Sequence, residues 1–292
     1  MKPWTAKAER GSTWLIRLIA WLARTVGRRF CRGLLYPIVL YFVLFDPTAR
    51  RASREFLGAV TNHRVRWTEV FEHVYSFAAT LLDRVYMAAG EFHRFRVTIE
   101  GDDLVRNVLA SGKGCMLLGS HLGSFDLLML ANKAFKGHPV NIMMHVDARS
   151  RVRQIAGIDD IQSKLIPLGQ PDSFLRGYEL LERGEIVAAL ADRVDGSGAS
   201  LDASFLGRAA SFPLGPHILA ARARVPVVLC FGLYEGGADY RIEFVDFGPA
   251  AAVDCRGAMF QATIDRYAHL LEQAARRHPK NWFNFYPYWT RR

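Results

Sequence analysis

Cysteine is scarce and unpatterned in this chain: Cys31, Cys115, Cys230 and Cys255 are the only four in 292 residues. None forms a CxxC pair and none stands at zinc-site spacing from a histidine, which argues against a disulfide framework or a structural zinc. They read as small buried apolar side chains in a reducing, cytoplasmic setting. Equally missing are a GxxxxGKS/T phosphate loop, a GxGxxG dinucleotide turn and a GxSxG nucleophile elbow. These absences count against P-loop nucleotide hydrolysis, a Rossmann cofactor and a serine hydrolase of the α/β type. No 20–50-residue repeat and no low-complexity block is present, so a solenoid and a disordered chain are both disfavoured. No secretory cleavage site follows the first apolar run, so a signal peptide is not expected.

Apolar residues, by contrast, make up half the chain, enough for a sizeable core. The formal charge of +10 is unevenly placed. Residues 1–96 carry 16 basic against 7 acidic side chains, whereas 97–292 carry 22 against 21. A basic flank on a near-neutral body points to an anionic partner. The basic residues are interleaved with aliphatic and aromatic runs, without a helix-turn-helix or zinc-finger pattern. A membrane surface is therefore expected, and nucleic acid is not.

Trp14, Leu15, Leu18, Ile19 and Leu22 share one face of a helix, with Arg17, Arg24 and Arg28 elsewhere on it. Trp and Arg on such a helix suit the lipid headgroup boundary. Leu34–Phe45 is uncharged but only 12 residues long and is interrupted by Pro37, against the roughly 20 needed to span a bilayer. A monotopic anchor on the inner leaflet is the expectation; a short tilted span over 30–45 competes with it, as does a pair of buried core helices. Residues 49–62 and 66–89 are expected to be helical.

From about residue 95 the pattern alternates. Strands are expected over Phe95–Ile99, Cys115–Gly119, Val140–His145, Ile186–Ala191, Pro226–Leu233 and Tyr240–Phe247. Helices are expected from Asp102 to Ala110, Ser124 to Phe135, Asp172 or Ser173 to Gly184, Pro213 to Arg224 and Arg256 to Arg277. This order predicts an α/β fold: a mixed, largely parallel sheet flanked by helices, preceded by a helical membrane-associating extension. The expected division is 1–94 for that extension and 95–292 for the catalytic domain.

The informative segment runs from a buried strand into His121-Leu-Gly-Ser-Phe-Asp126. Ligands of open α/β sheets sit at the carboxyl ends of strands. Histidine titrates near neutrality and can accept a proton. A carboxylate five residues on, across a Gly-Ser turn at Gly123 and Ser124, can hold its other ring nitrogen and fix the tautomer. That pair could activate an acceptor hydroxyl directly, without a serine nucleophile. Arg149, Arg151 and Arg153 could meet an anionic group or form a solvated helix face. His145 and Asp147 are candidates for a supporting role, Asp102-Asp103 for a helix start and Asp159-Asp160 for a surface turn. His138, before Pro139, is expected in an exposed turn. The tail Asn281–Trp289 is dense in aromatics and either lines an acyl groove or closes the core. A metal held by His121, His145 and Asp126 is not expected.

His121-Leu-Gly-Ser-Phe-Asp126 resembles the HxxxxD/E motif of the glycerophosphate and lysophospholipid acyltransferase superfamily, most nearly its lipid A biosynthesis (lauroyl/myristoyl) branch. Glu185–Arg193, Phe205–Gly207, Ala210–Pro216 and Val225–Val228 resemble that branch's later segments, in order. The resemblance covers about residues 10–290. It implies an acyltransferase that moves a fatty acyl group from an acyl carrier protein or CoA thioester to a hydroxyl or amine of a lipid acceptor at the cell inner membrane, with no cofactor. It implies His121 as general base and Asp126 as its orienting acid; with Asp192 and Arg193, the residues Gly123, Ser124, Arg149 and Arg153 complete the set expected to bind substrate. Arg193 would meet phosphate or charge near the donor, with Asp192 holding it. Phe212-Pro213-Leu214-Gly215 lacks the glutamate of the phosphate-binding FPEG segment, which weakens a simple glycerol-phosphate acceptor. A lipid hydrolase and a non-catalytic lipid carrier are the competing functions.

Overall fold

A computed structural model of the protein describes residues 25–127, 135, 138–145, 165–194, 198–248 and 258–289. Three helices lead: α1 (Arg28–Phe45), α2 (Pro47–Thr61) and α3 (Trp67–Ala88). Asp46 separates α1 from α2, and its carboxylate accepts the Thr48 and Ala49 N–H groups at 3.0 Å while Pro47 occupies the first helical position. The two helices bend by 93° at that cap. Pro37 does not break α1, although the sequence suggests an interruption there: the helix runs continuously through it.

The body follows as β1 (Arg96–Glu100), α4 (Asp102–Ala110), β2 (Cys115–Gly119), β3 (Val140–His145) and β4 (Leu165–Leu168). Then come α5 (Ser173–Glu182), β5 (Ile186–Leu190), β6 (Ser200–Phe205) and β7 (Arg208–Pro213). The chain closes with α6 (Gly215–Ala223), β8 (Val227–Gly236), β9 (Asp239–Gly248) and α7 (Ala258–Arg277). Seven strands form one sheet in the order β1-β9-β8-β2-β5-β3-β4, parallel throughout except for the antiparallel β8–β9 pair; β6 and β7 form a separate hairpin. The fold is therefore α/β with a mostly parallel mixed sheet flanked by helices, as the alternating pattern predicts.

Central β2 lies between β5 and β8 and is buried at all five positions. A strand covered on both faces loses the polar alternation and becomes a continuous apolar run. Its side chains divide by parity. Met116 and Leu118 join a cluster with α2, α6 and α7; Cys115 and Leu117 join one with α4. Helices α1 and α3 contribute to both clusters, through Val39 and Val70 on one side and Leu35 and Leu82 on the other. Three cysteines, Cys31, Cys115 and Cys230, are free and buried, as expected; Cys255 lies outside the described residues.

Two arginines of the basic flank are not turned to solvent. Arg28 bonds Asp83 through Nε (2.7 Å) and Nη2 (2.8 Å), and Arg32 Nη2 meets the same carboxylate at 2.7 Å. Tyr240 donates its hydroxyl to Asp83 at 2.7 Å. A fully buried Asp83 thus clamps α1 to α3 and to the β8–β9 pair. What α1 leaves uncovered is apolar: Phe30, Tyr41, Phe42, Leu44 and Phe45 are each about half exposed or more. No single described helix is long and apolar enough to cross a membrane; the bent pair α1–α2 passes that test together.

Candidate active site

Strands β2 and β5 run parallel, with Gly119 beside Leu190 at their carboxyl ends. His121 and Asp192 each lie two residues beyond, so equal register brings them to equal height on the rim. His121 Nδ1 and Asp192 Oδ1 are 2.9 Å apart. The orienting bond therefore goes to the carboxylate on the neighbouring strand end, 71 positions away. Asp126, expected in that place, has its backbone in a 3₁₀ turn (Phe125–Leu127), but its side chain lies outside the described residues.

Asp192 is fully buried and its bonding capacity is well used. Oδ2 accepts Asn284 Nδ2 at 3.1 Å, and its backbone carbonyl accepts the Tyr288 hydroxyl at 2.8 Å. Burial alone would raise its pKa, but the His121 ring, the Arg193 charge and the Asn284 amide outweigh it and hold the carboxyl below the ordinary range. Burial likewise pushes the His121 imidazole below its usual value; Asp192 pulls it back, while Arg193 and Arg84 push it further down. The result at neutral pH is a neutral imidazole beside a carboxylate. The carboxylate can only accept, so the ring proton sits on Nδ1 and Nε2 keeps its lone pair. The His121 side chain is 26 % exposed, so the ring is still reached from outside.

The turn that carries His121 is fixed through its backbone. Tyr267 donates its hydroxyl to the Gly119 carbonyl at 2.9 Å, and Ala191 N–H meets the same oxygen at 3.0 Å. Gly123 has φ +85°, and a Cβ there would lie 2.1 Å from the Gly232 carbonyl oxygen. Only glycine combines that conformation with so close an approach. Gly123 N–H donates to the Asn281 carbonyl and Ser124 N–H to the Gly232 carbonyl, both at 2.6 Å. These two residues, expected to touch substrate, have their backbone donors committed to holding the loop, and Ser124 is buried.

The aromatic tail does most of this holding. Phe283 N–H donates to the His121 carbonyl at 2.8 Å, and Leu122 bridges Trp282. Asn281 spans the Tyr234 backbone, accepting its N–H at 2.7 Å and donating to its carbonyl at 3.0 Å. Asn284 holds Asp192 with its amide nitrogen and receives Arg193 Nε on its oxygen at 2.6 Å. Arg193 also donates to the Phe283 carbonyl at 3.2 Å and lies over the Tyr286 ring. Trp282 and Trp289 are buried, so much of the tail closes the core while threading past the site. Sequence reasoning missed Asn281, Asn284 and Tyr267. An asparagine inside an aromatic run is itself a signal, because a buried amide needs partners for each of its polar atoms.

Arg149, Arg151, Arg153, Asp147, the Asp159-Asp160 pair and the His145 side chain lie outside the described residues. Asp102 and Asp103 open α4, with Gly101 as the cap and Asp102 bonded to Arg106 at 2.9 Å, a structural role as expected. His138 is only partly exposed. Among the described residues no cluster could hold a metal.

Residues 4–291 match the model of a family described as bacterial lipid A biosynthesis acyltransferase. No curated protein matches the chain.

Proposed function

The chain belongs to the bacterial lipid A biosynthesis acyltransferase family, and from that premise we propose that it moves a fatty acyl group from an acyl carrier protein or CoA thioester to a hydroxyl of a lipid A-type glycolipid, with His121 as general base. The observation that carries the reading is the 2.9 Å bond from His121 Nδ1 to Asp192, which leaves Nε2 free to accept a proton at a sheet rim. The acceptor hydroxyl attacks the thioester carbonyl as Nε2 takes its proton. The tetrahedral intermediate then collapses, and the thiol leaves with the proton returned by the imidazolium. Asp192 stabilises that imidazolium and keeps the ring in one tautomer. Arg193, anchored by Asn284 and Phe283, supplies positive charge beside the ring, where an anionic donor or the developing oxyanion benefits.

The reaction takes place at the cytoplasmic face of the inner membrane. The exposed apolar side chains of α1 support a monotopic seat there, with the helix lying in the interface. Replacing His121 by Ala tests the chemistry: acyl transfer should fall by 100-fold or more, on the order expected for loss of a general base, while vesicle binding persists. Transfer at near wild-type rate in that variant would refute the base assignment. Free fatty acid without an acylated acceptor from the unaltered protein would point instead to a hydrolase.

A further inference from the structure

A groove of about 820 Å³ lies between the start of α1, α3, the β8–β9 turn and Lys280. Its lining includes Arg28, Arg29 and Arg32 on one side, and Tyr36, Tyr75 and Tyr234 on another. Its charges do not balance. Lys280 is matched by Glu72 at 2.6 Å and Glu235 by Arg241 at 2.8 Å. Arg28 and Arg32, only 16 % and 12 % exposed, share the single buried carboxylate of Asp83. Arg32 Nε is buried and has no hydrogen-bond partner among the described residues. Among the described residues one guanidinium charge is thus in excess at the groove floor, and the exposed Arg29 adds another. Uncompensated buried charge is costly unless an anion completes the set.

The groove is separate from the reacting histidine. Asn281 bonds the Tyr234 backbone on the groove wall, while Phe283, two residues on, bonds His121, so the tail runs between them. Tyr36 of α1 lines the groove and is itself one of that helix's exposed apolar side chains. From Arg29 to Phe45 that helix is about 24 Å long at 1.5 Å per residue, the scale of an extended acyl chain.

We propose that this groove binds the phosphodiester headgroup of an acidic membrane phospholipid, with Arg29 and the Arg28–Arg32 pair meeting the phosphate, Lys280 at the rim beside Glu72 adding to the local basic character, the tyrosines flanking the glycerol and the acyl chains lying against α1. The occupant is a bilayer lipid rather than the reacting one, since none of His121, Asp192 or Arg193 lines the groove. The site rests on the membrane-surface reading above and gives that surface a headgroup preference.

Co-sedimentation of the full chain with vesicles tests it. One set is pure phosphatidylcholine and the other carries about a third phosphatidylglycerol, where each interfacial basic side chain is worth roughly 5-fold in affinity. The unaltered protein should prefer the phosphatidylglycerol vesicles. Arg29→Gln with Lys280→Gln should cut that preference by about 10-fold or more and leave binding to pure phosphatidylcholine unchanged. Arg106→Gln with Arg183→Gln, equal in charge but outside the groove, should keep the preference. An equal loss in that control pair overturns the site, because diffuse charge would then explain the preference. So does abolition of the preference by millimolar inorganic phosphate at constant ionic strength, which would make the groove a free-anion site. Phosphatidylcholine binding without any phosphatidylglycerol preference sinks the headgroup site alone; no binding to either vesicle sinks the membrane-surface reading with it.

Discussion

Asp83→Asn should be among the most destabilising isosteric changes in this molecule. The carboxylate has no exposure and neutralises two guanidinium groups while accepting the Tyr240 hydroxyl. The amide keeps the shape and one acceptor oxygen, but presents a donor where an acceptor stood and removes the negative charge that Arg28 and Arg32 share. Breaking a buried ion pair from one side costs about 3–5 kcal/mol. The stability of a typical domain is about 5–15 kcal/mol. The loss should therefore appear as a clear drop in the urea midpoint at unchanged slope. Arg106→Ala, which removes the solvent-exposed Asp102–Arg106 pair, should cost less than about 1 kcal/mol and serves as the measure of an ordinary surface ion pair. If Asp83→Asn cost no more than Arg106→Ala, the clamp between α1, α3 and the β8–β9 pair would contribute nothing and the reasoning would fail.

Gly123→Ala should sharply reduce acyl transfer, since the new methyl meets the Gly232 carbonyl at 2.1 Å and must shift the His121 turn; unchanged kcat/KM would show that the turn can relax. Buried His73 and His217 both have pKa values pushed down by burial to about 4, with the Trp282 carbonyl partly opposing this at His73. The unfolded chain binds these protons first, so stability should fall as pH drops from about 6.5 to 4, by up to roughly 3 kcal/mol per histidine. Among the described residues neither ring nitrogen of His217 has a hydrogen-bond partner, so His217→Phe should remove one histidine's share of that slope; an unaltered slope in urea titrations would contradict it. Nδ1 carries one proton and Asp192 accepts it, so Asp126→Asn should cost less activity than Asp192→Asn, and the reverse order would move the orienting role to 126. Asn284→Ala should lower kcat by about 10-fold or more, because a buried acceptor on Asp192 loses its donor; a wild-type kcat would separate the tail from the chemistry.

Central strand Cys115–Gly119 was legible because burial on both faces turns it into a short continuous apolar run; Val140–His145, apolar except at Asn141 and His145, also matches the expected boundaries. The β6–β7 hairpin was not legible. Its strands are rich in Ser and Ala, and its turn is Leu206-Gly207, with the non-glycine Leu206 at φ 52° instead of the usual Asn or Asp. Leu206 tolerates this because it is buried and its N–H reaches Glu272 at 2.6 Å. Edge strand β4 is four residues long with Pro167 inside, a pattern that hides a strand whose one neighbour is β3. At the site, a histidine after a buried strand was readable locally. Its carboxylate was not, because the partner is set by which strand lies next to β2. Asp192 was singled out for its neighbour Arg193, whereas the sheet order delivers it to His121.

Steady-state acyl transfer by Asp192→Asn, with folding verified by an unchanged thermal midpoint, bears most directly on the claim that a carboxylate-held neutral imidazole is the base. The account predicts kcat/KM lower by at least about 100-fold, with an acid limb for the unaltered protein lying below the ordinary histidine pKa. A folded Asp192→Asn protein that transfers acyl groups within a few-fold of wild type would contradict it.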